Sequence, residues 1–223
     1  MSSNACKKTG NDKNMEYNDK QIQIIDSAEK LFATNGFEGT SVRDIAHEAG
    51  INIAMISYYF GSKEKLMEAV FQKRTFNAQL RVENLLQDST LSPLQKVYSL
   101  IDDYVEKITV HQEFHKIMMR EQMLIKNSAI SEAIFELKKR SLESIKKLIT
   151  EGQKVGAFKK NIDISLMMCT LFGTANNLIS SQSFYKKIFN MEDRSEEVFQ
   201  RYIKKKLSHH LKTLFKATLT YDA

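Results

Sequence analysis

Residues that interrupt helices are scarce in this chain, with one proline, Pro93, and eight glycines among 223 residues. A sequence otherwise rich in Leu, Ile, Lys and Glu with so few breaks favours an all-α fold. Cysteine is equally sparse. Cys6 lies in a polar tail and Cys169 in an apolar stretch, without metal-ligand spacing, which argues against a disulfide framework and fits a reducing cytoplasm. Long apolar runs are missing as well. The N-terminal MSSNACKKTGNDKNMEYN has no apolar core and reads as a disordered polar arm over residues 1–17 rather than a signal or anchor, its Lys7, Lys8 and Lys13 available for phosphates. Residues 164–185 carry no charge, yet Asn176, Asn177, Ser180, Ser181 and Gln182 fill the second half, whereas a membrane span wants roughly 20 mainly apolar residues. A helix buried on more than one side is the better reading.

Catalytic and cofactor motifs are absent too: there is no G-x-S-x-G, no Walker loop and no G-x-G-x-x-G, so no enzyme and no cofactor is expected. His111 and His115 stand at i, i+4, a spacing that could hold a metal on one helical face, but no third ligand accompanies them, and no metal site is assigned. The net charge of +6 suits a nucleic-acid partner only weakly, because residues 1–78 hold 10 basic and 10 acidic side chains and the excess lies beyond them.

What is present centres on Thr40 to Lys63, TSVRDIAHEAGINIAMISYYFGSK. Ser41 to Asp44 has the spacing of a capping box and starts a helix; Gly50 lets the chain reverse; Asn52 can cap a second short helix. Val42, Ile45, Ala46 and Ala49 before the turn and Ile51 and Ile56 after it place apolar residues on a shared face. This is the layout of a helix-turn-helix, motif 41–60, whose second helix enters the DNA major groove.

Ile56-Ser57-Tyr58-Tyr59-Phe60-Gly61-Ser62-Lys63-Glu64-Lys65-Leu66 resembles the signature of the tetracycline-repressor (TetR) family, and Ala28, Leu31-Phe32, Gly36, Thr40, Ile45-Ala46 and Ala49-Gly50-Ile51 fit the same pattern. Ser57 stands where that family usually has tyrosine. The resemblance implies a ligand-responsive, DNA-binding transcription regulator, most often a repressor, with an N-terminal three-helix DNA-binding domain over 18–78 and a helical ligand-binding and dimerisation domain over 79–223. Thr40, Ser41 and Lys63 are the candidates for phosphate contact. Asn52, Ile53, Ala54, Met55 and Tyr58 are candidates for base edges, with Arg43 and Tyr59 able to serve either role.

Beyond the motif, Ser62 can cap a helix running to about Leu86, Pro93 opens another, and amphipathic stretches follow at 114–125 and 130–149, the second ended by Gly152 and Gly156. Tyr104, Phe114, Met118, Met119, Met123, Phe135, Met168 and Phe172 form a cluster rich in flexible thioethers, suited to a pocket for a small apolar or amphipathic ligand. Cys169, Gly173 and Asn177 recur every fourth residue, a strip that another helix can approach closely. Phe199, Ile203, Leu207 and Leu211 repeat likewise on the last helix, as core or as an oligomer face. By their order these two helices match the pair through which the resembling family forms a homodimer on a pseudo-palindromic double-stranded DNA operator.

Overall fold

The computed structural model describes residues 17–123 and 129–221, without the side chains of residues 77–79, 122, 123, 129 and 130. The polar arm, with Lys7, Lys8, Lys13 and Cys6, therefore lies outside the described residues. Ten helices and no strand occur among those described: α1 (Asp19–Asn35), α2 (Val42–Glu48), α3 (Ile53–Phe60), α4 (Lys63–Gln87), α5 (Pro93–Val110), α6 (Gln112–Met123), α7 (Ala129–Lys154), α8 (Ile164–Ser180), α9 (Gln182–Ile188) and α10 (Glu196–Leu219). Local chemistry sets most starts. Asn18, Ser41 and Ser92 each cap a helix whose third residue, Gln21, Asp44 or Gln95, returns a hydrogen bond to the cap. Such reciprocal caps satisfy two backbone donors that a helix start leaves open.

Two apolar cores divide the molecule. The first joins Ile24, Ile25, Ala28 and Phe32 of α1, Ile45 and Ala46 of α2, Ile56 of α3, and Leu66, Met67, Val70 and Phe71 of α4. It is not closed by those helices alone, since Ile117 of α6 and Ile134 of α7 are buried in it as well. The second gathers the inner faces of α5, α7, α8 and α10. Helix α4 contributes to the first core and carries Leu86 at its far end against the second.

Two expected helix ends are displaced. Gly152 does not stop α7, which runs through it to Lys154. Its role is close packing: a Cβ there would come within 2.1 Å of the Phe158 ring. Gly156, at φ +74°, then makes the turn that only glycine takes without strain. The uncharged stretch expected as one helix breaks at Ser181 into α8 and α9. No helix among the described residues is long and apolar enough to cross a membrane.

The stripe on α10 is core. Phe199, Ile203, Leu207 and Leu211 are at most 2% exposed, packed into the second core with α5, and so cannot form a dimer face as expected. The strip on α8 differs: Cys169, Gly173 and Asn177 all face outward, and a Cβ on Gly173 would meet nothing within 4 Å.

Candidate nucleic-acid interface and cavity

The helix-turn-helix is built from short-range chemistry. The Ser41 hydroxyl donates to the Asp44 carboxylate at 2.6 Å and accepts from the Asp44 amide at 3.1 Å, fixing the first turn of α2. These bonds also hold the Asp44 carboxyl below its ordinary range, the Ser41 hydroxyl contributing more than its amide. Gly50 turns the chain at φ +60°, and Asn52 accepts from the Ala54 amide at 2.9 Å to start α3. Behind the motif, the Gln23 side-chain amide of α1 donates to the Ala49 carbonyl at 2.8 Å and Lys30 pairs with Glu48 at 2.5 Å. Ile56 fills the core while the opposite side of α3 stays clear. Asn52, Ile53, Ala54, Ser57 and Tyr58 are exposed, Tyr58 at 83%. Met55 is half-buried, and Tyr59 leans on the first core with its ring 5.1 Å from that of Tyr58.

Two of the expected phosphate contacts are engaged internally. Thr40 is 1% exposed, and its hydroxyl donates to the carbonyls of Gly36 at 2.8 Å and Leu31 at 3.2 Å, closing the end of α1. The Lys63 ammonium donates to the carbonyls of Phe37 at 2.9 Å and Thr40 at 3.1 Å and lies 4.3 Å from the Phe37 ring centroid. Lys63 thus ties the start of α4 to the loop before α2, because buried carbonyls demand donors. Ser41 and Arg43 remain exposed.

A cavity of about 620 Å³ opens between α4, α5, α7, α8 and α10, within the size range of small-molecule sites. Tyr104, Met168 and Phe172 line it, the Tyr104 and Phe172 rings meeting edge-on at 5.3 Å. The other expected pocket residues with described side chains do not. Phe114 and Met118 pack against the first core, Phe114 edge-on to Phe71 at 5.2 Å. Phe135 is 58% exposed on the outside of α7 and absent from the lining. Met119 is half-buried on α6 and also outside the lining, and the Met123 side chain lies outside the described residues. Sequence spacing marked these residues as apolar without saying which core each helix face meets.

Comparison with known proteins settles the family. The pattern described as bacterial regulatory proteins, tetR family, matches residues 24–70, and that of the tetracyclin repressor-like C-terminal domain matches residues 93–206. The chain belongs to the TetR family. It is a DNA-binding transcriptional regulator. The repressor NicS of Pseudomonas putida is 31% identical over 170 residues, covering 71% of this chain and 77% of NicS. Among solved structures, the regulator FadR from Bacillus subtilis in complex with stearoyl-CoA superposes with TM-score 0.64 at 21% identity, over 86% of this chain and 97% of that one. The ketosteroid regulator KstR2 of Mycobacterium tuberculosis gives TM-score 0.68 at 21% identity, over 93% and 98%.

The two histidines of this TetR-family chain have separate surroundings. His111 ends α5 with its Nδ1 3.4 Å from the Arg74 guanidinium, and burial together with that cation lowers its pKa. His115 lies on α6, where burial likewise lowers its pKa. No group of three or more potential metal ligands exists among the described residues. Sequence reasoning passed over much of the cavity wall, notably Lys107, which follows Tyr104 by three residues and Leu100 by seven on one face of α5. That spacing was available as a signal.

Proposed function

We propose that the protein is a repressor that binds a pseudo-palindromic operator as a homodimer and leaves it when an amphipathic molecule occupies the cavity. The observation that carries the DNA-binding half is the outer face of α3, where Asn52, Ile53, Ala54 and Tyr58 are exposed outside the core. Asn52 and Tyr58 bring hydrogen-bonding groups and Ile53 and Ala54 apolar contacts suited to thymine methyl groups, with Met55 at the edge. Ser41, Arg43 and Tyr59 serve the flanking phosphates together with the amides at the start of α2. The outward strip of Cys169, Gly173 and Asn177 on α8 is the proposed twofold contact. Its partner surface is not the buried stripe of α10.

Support for the second half comes from the cavity itself, walled by α4 of the DNA-binding half and by α5, α7, α8 and α10, so that a ligand there biases the position of α4. FadR, of the same fold, was solved with stearoyl-CoA. A 100-fold loss of operator affinity needs only about 2.7 kcal/mol of coupling.

Gel-shift titration of a genomic fragment upstream of the protein's own gene tests the reading. Wild-type protein should retard the fragment specifically, and Tyr58→Ala should lose about 10-fold in affinity at unchanged melting temperature. Equal affinity for that fragment and for unrelated DNA would count against it.

A further inference from the structure

The cavity is graded in polarity along its length. On α7 the charged lining residues Glu132, Glu136 and Arg140 fall in the first half, interleaved with Ala133 and Leu137; Ser141 and Ser144 follow, and Ile145 and Ile149 end the wall. From the first of these to the last the helix rises roughly 25 Å. On α5, which packs against α7, Lys107, Tyr104 and Asp103 sit toward one end and Leu100, Ile101 and Val97 toward the other. Such a long gradient suits an extended chain with a polar head better than a compact ligand.

Two polar groups in the wall lack hydrogen-bond partners among the described residues. Tyr104 meets Phe172 by its ring edge, and its hydroxyl forms no hydrogen bond with any described residue, though burial raises its pKa. Lys107, almost one turn further along the same face, donates no hydrogen bond to any described residue. Burial lowers the pKa of Lys107, the nearby Arg81 guanidinium adds to the effect, and Asp103 opposes it only in part. Lys107 is half-buried; an ammonium partly withdrawn from water without a hydrogen-bonded anion carries a desolvation cost that an anionic group brought by a ligand relieves.

The outer rim has no comparable surplus of positive charge. Glu68 is paired with Lys65 at 3.0 Å and Glu136 with Lys139 at 3.5 Å, Glu132 adds a further carboxylate to the lining, and Arg140 has a partner of its own. A head bearing several phosphates would find no free cation cluster there.

We propose that the effector is a single-chain amphiphile with a compact monoanionic head, a long-chain free carboxylate, and that Lys107 and Tyr104 select that head. The proposal rests on the reading of the cavity as the effector site. The carboxylate accepts from the Lys107 ammonium and the Tyr104 hydroxyl, and the alkyl chain lies against Ile101, Ile145, Met168 and Leu171.

Isothermal titration of the full chain with four twelve-carbon probes tests this: dodecanoate, dodecanol, dodecyltrimethylammonium and the dodecanoyl thioester of coenzyme A. Dodecanoate should bind tightest, and two further methylenes should tighten binding by about 15-fold. Lys107→Met should weaken dodecanoate by about 10- to 100-fold while changing dodecanol little. Tyr104→Phe should weaken dodecanoate by about 5-fold. Tighter binding of the thioester or the cation would overturn the head assignment and leave the effector cavity standing. An equal loss for dodecanoate and dodecanol in Lys107→Met would make Lys107 a merely structural residue. If none of the four binds, and none changes operator affinity, the effector reading falls along with the head assignment.

Discussion

Lys63 shows how far a residue's role depends on what surrounds it. Its place beside the recognition helix suggests a phosphate contact, but its ammonium is held by the Phe37 and Thr40 carbonyls and by the face of the Phe37 ring. Lys63→Ala removes the donor of the Thr40 carbonyl and leaves the Phe37 carbonyl with the Thr40 amide at 3.3 Å. The variant should lose about 2 kcal/mol of stability and some DNA affinity through a loosened motif, with the slope of log affinity against log salt unchanged. A slope smaller by about 0.9 would instead mark Lys63 as a phosphate ligand. Thr40 follows the same logic, since its hydroxyl is consumed by the end of α1. Neither role is legible in sequence, because both depend on contacts made by a loop that folds back from α1. The Ser41–Asp44 cap is legible, because both partners lie within one turn.

At the scale of helices, α1 and α4 are joined by two ion pairs, one on a buried carboxylate and one on an exposed carboxylate. The Arg74 Nε donates to Glu29 at 2.7 Å, and Lys73 pairs with Asp26 at 2.5 Å. Glu29 is 3% exposed, and its burial pushes its carboxyl above the ordinary value while Arg74 pulls it back. A carboxyl raised in the folded state contributes stability below its unfolded pKa that is lost as pH rises through the folded value. Removing Arg74 raises the folded pKa of Glu29 further. Arg74→Ala should therefore cost about 3 kcal/mol near pH 7, a deficit that shrinks toward pH 5 and that Glu29→Gln in the same chain largely restores. Denaturant titrations at the two pH values measure it; a deficit independent of pH would show that Glu29 is not its cause. The helices themselves were largely readable from caps and apolar spacing. What spacing left open was which neighbour each apolar face meets: Phe114 and Met118 looked like pocket residues and joined the first core, and the α10 stripe could be core or interface and proved to be core. Gly152 looked like a stop and is a packing site for Phe158, a distinction that only the approach of a distant ring decides.

At the scale of the whole molecule, the proposed dimer would place the exposed α8 strip and the outward α3 in one symmetric arrangement, in which pairing through α8 sets the distance between two recognition helices. Light scattering should report a dimer at micromolar concentration, and Gly173→Trp, at a position where an added Cβ meets nothing within 4 Å, should shift it toward monomer with little loss of protomer stability. A monomeric wild type that still binds its operator would remove α8 from this role. The central claim, sequence-specific reading of DNA by a pair of α3 helices, is tested most directly by selecting bound fragments from random double-stranded DNA with the purified protein and sequencing them. The expected result is one enriched pseudo-palindrome whose half-sites lie about 34–36 Å apart, or a multiple of that, along the helix, with Met55→Ala altering the preferred bases inside each half-site. Enrichment of no sequence over the starting pool, or of a single unrepeated site, would contradict it.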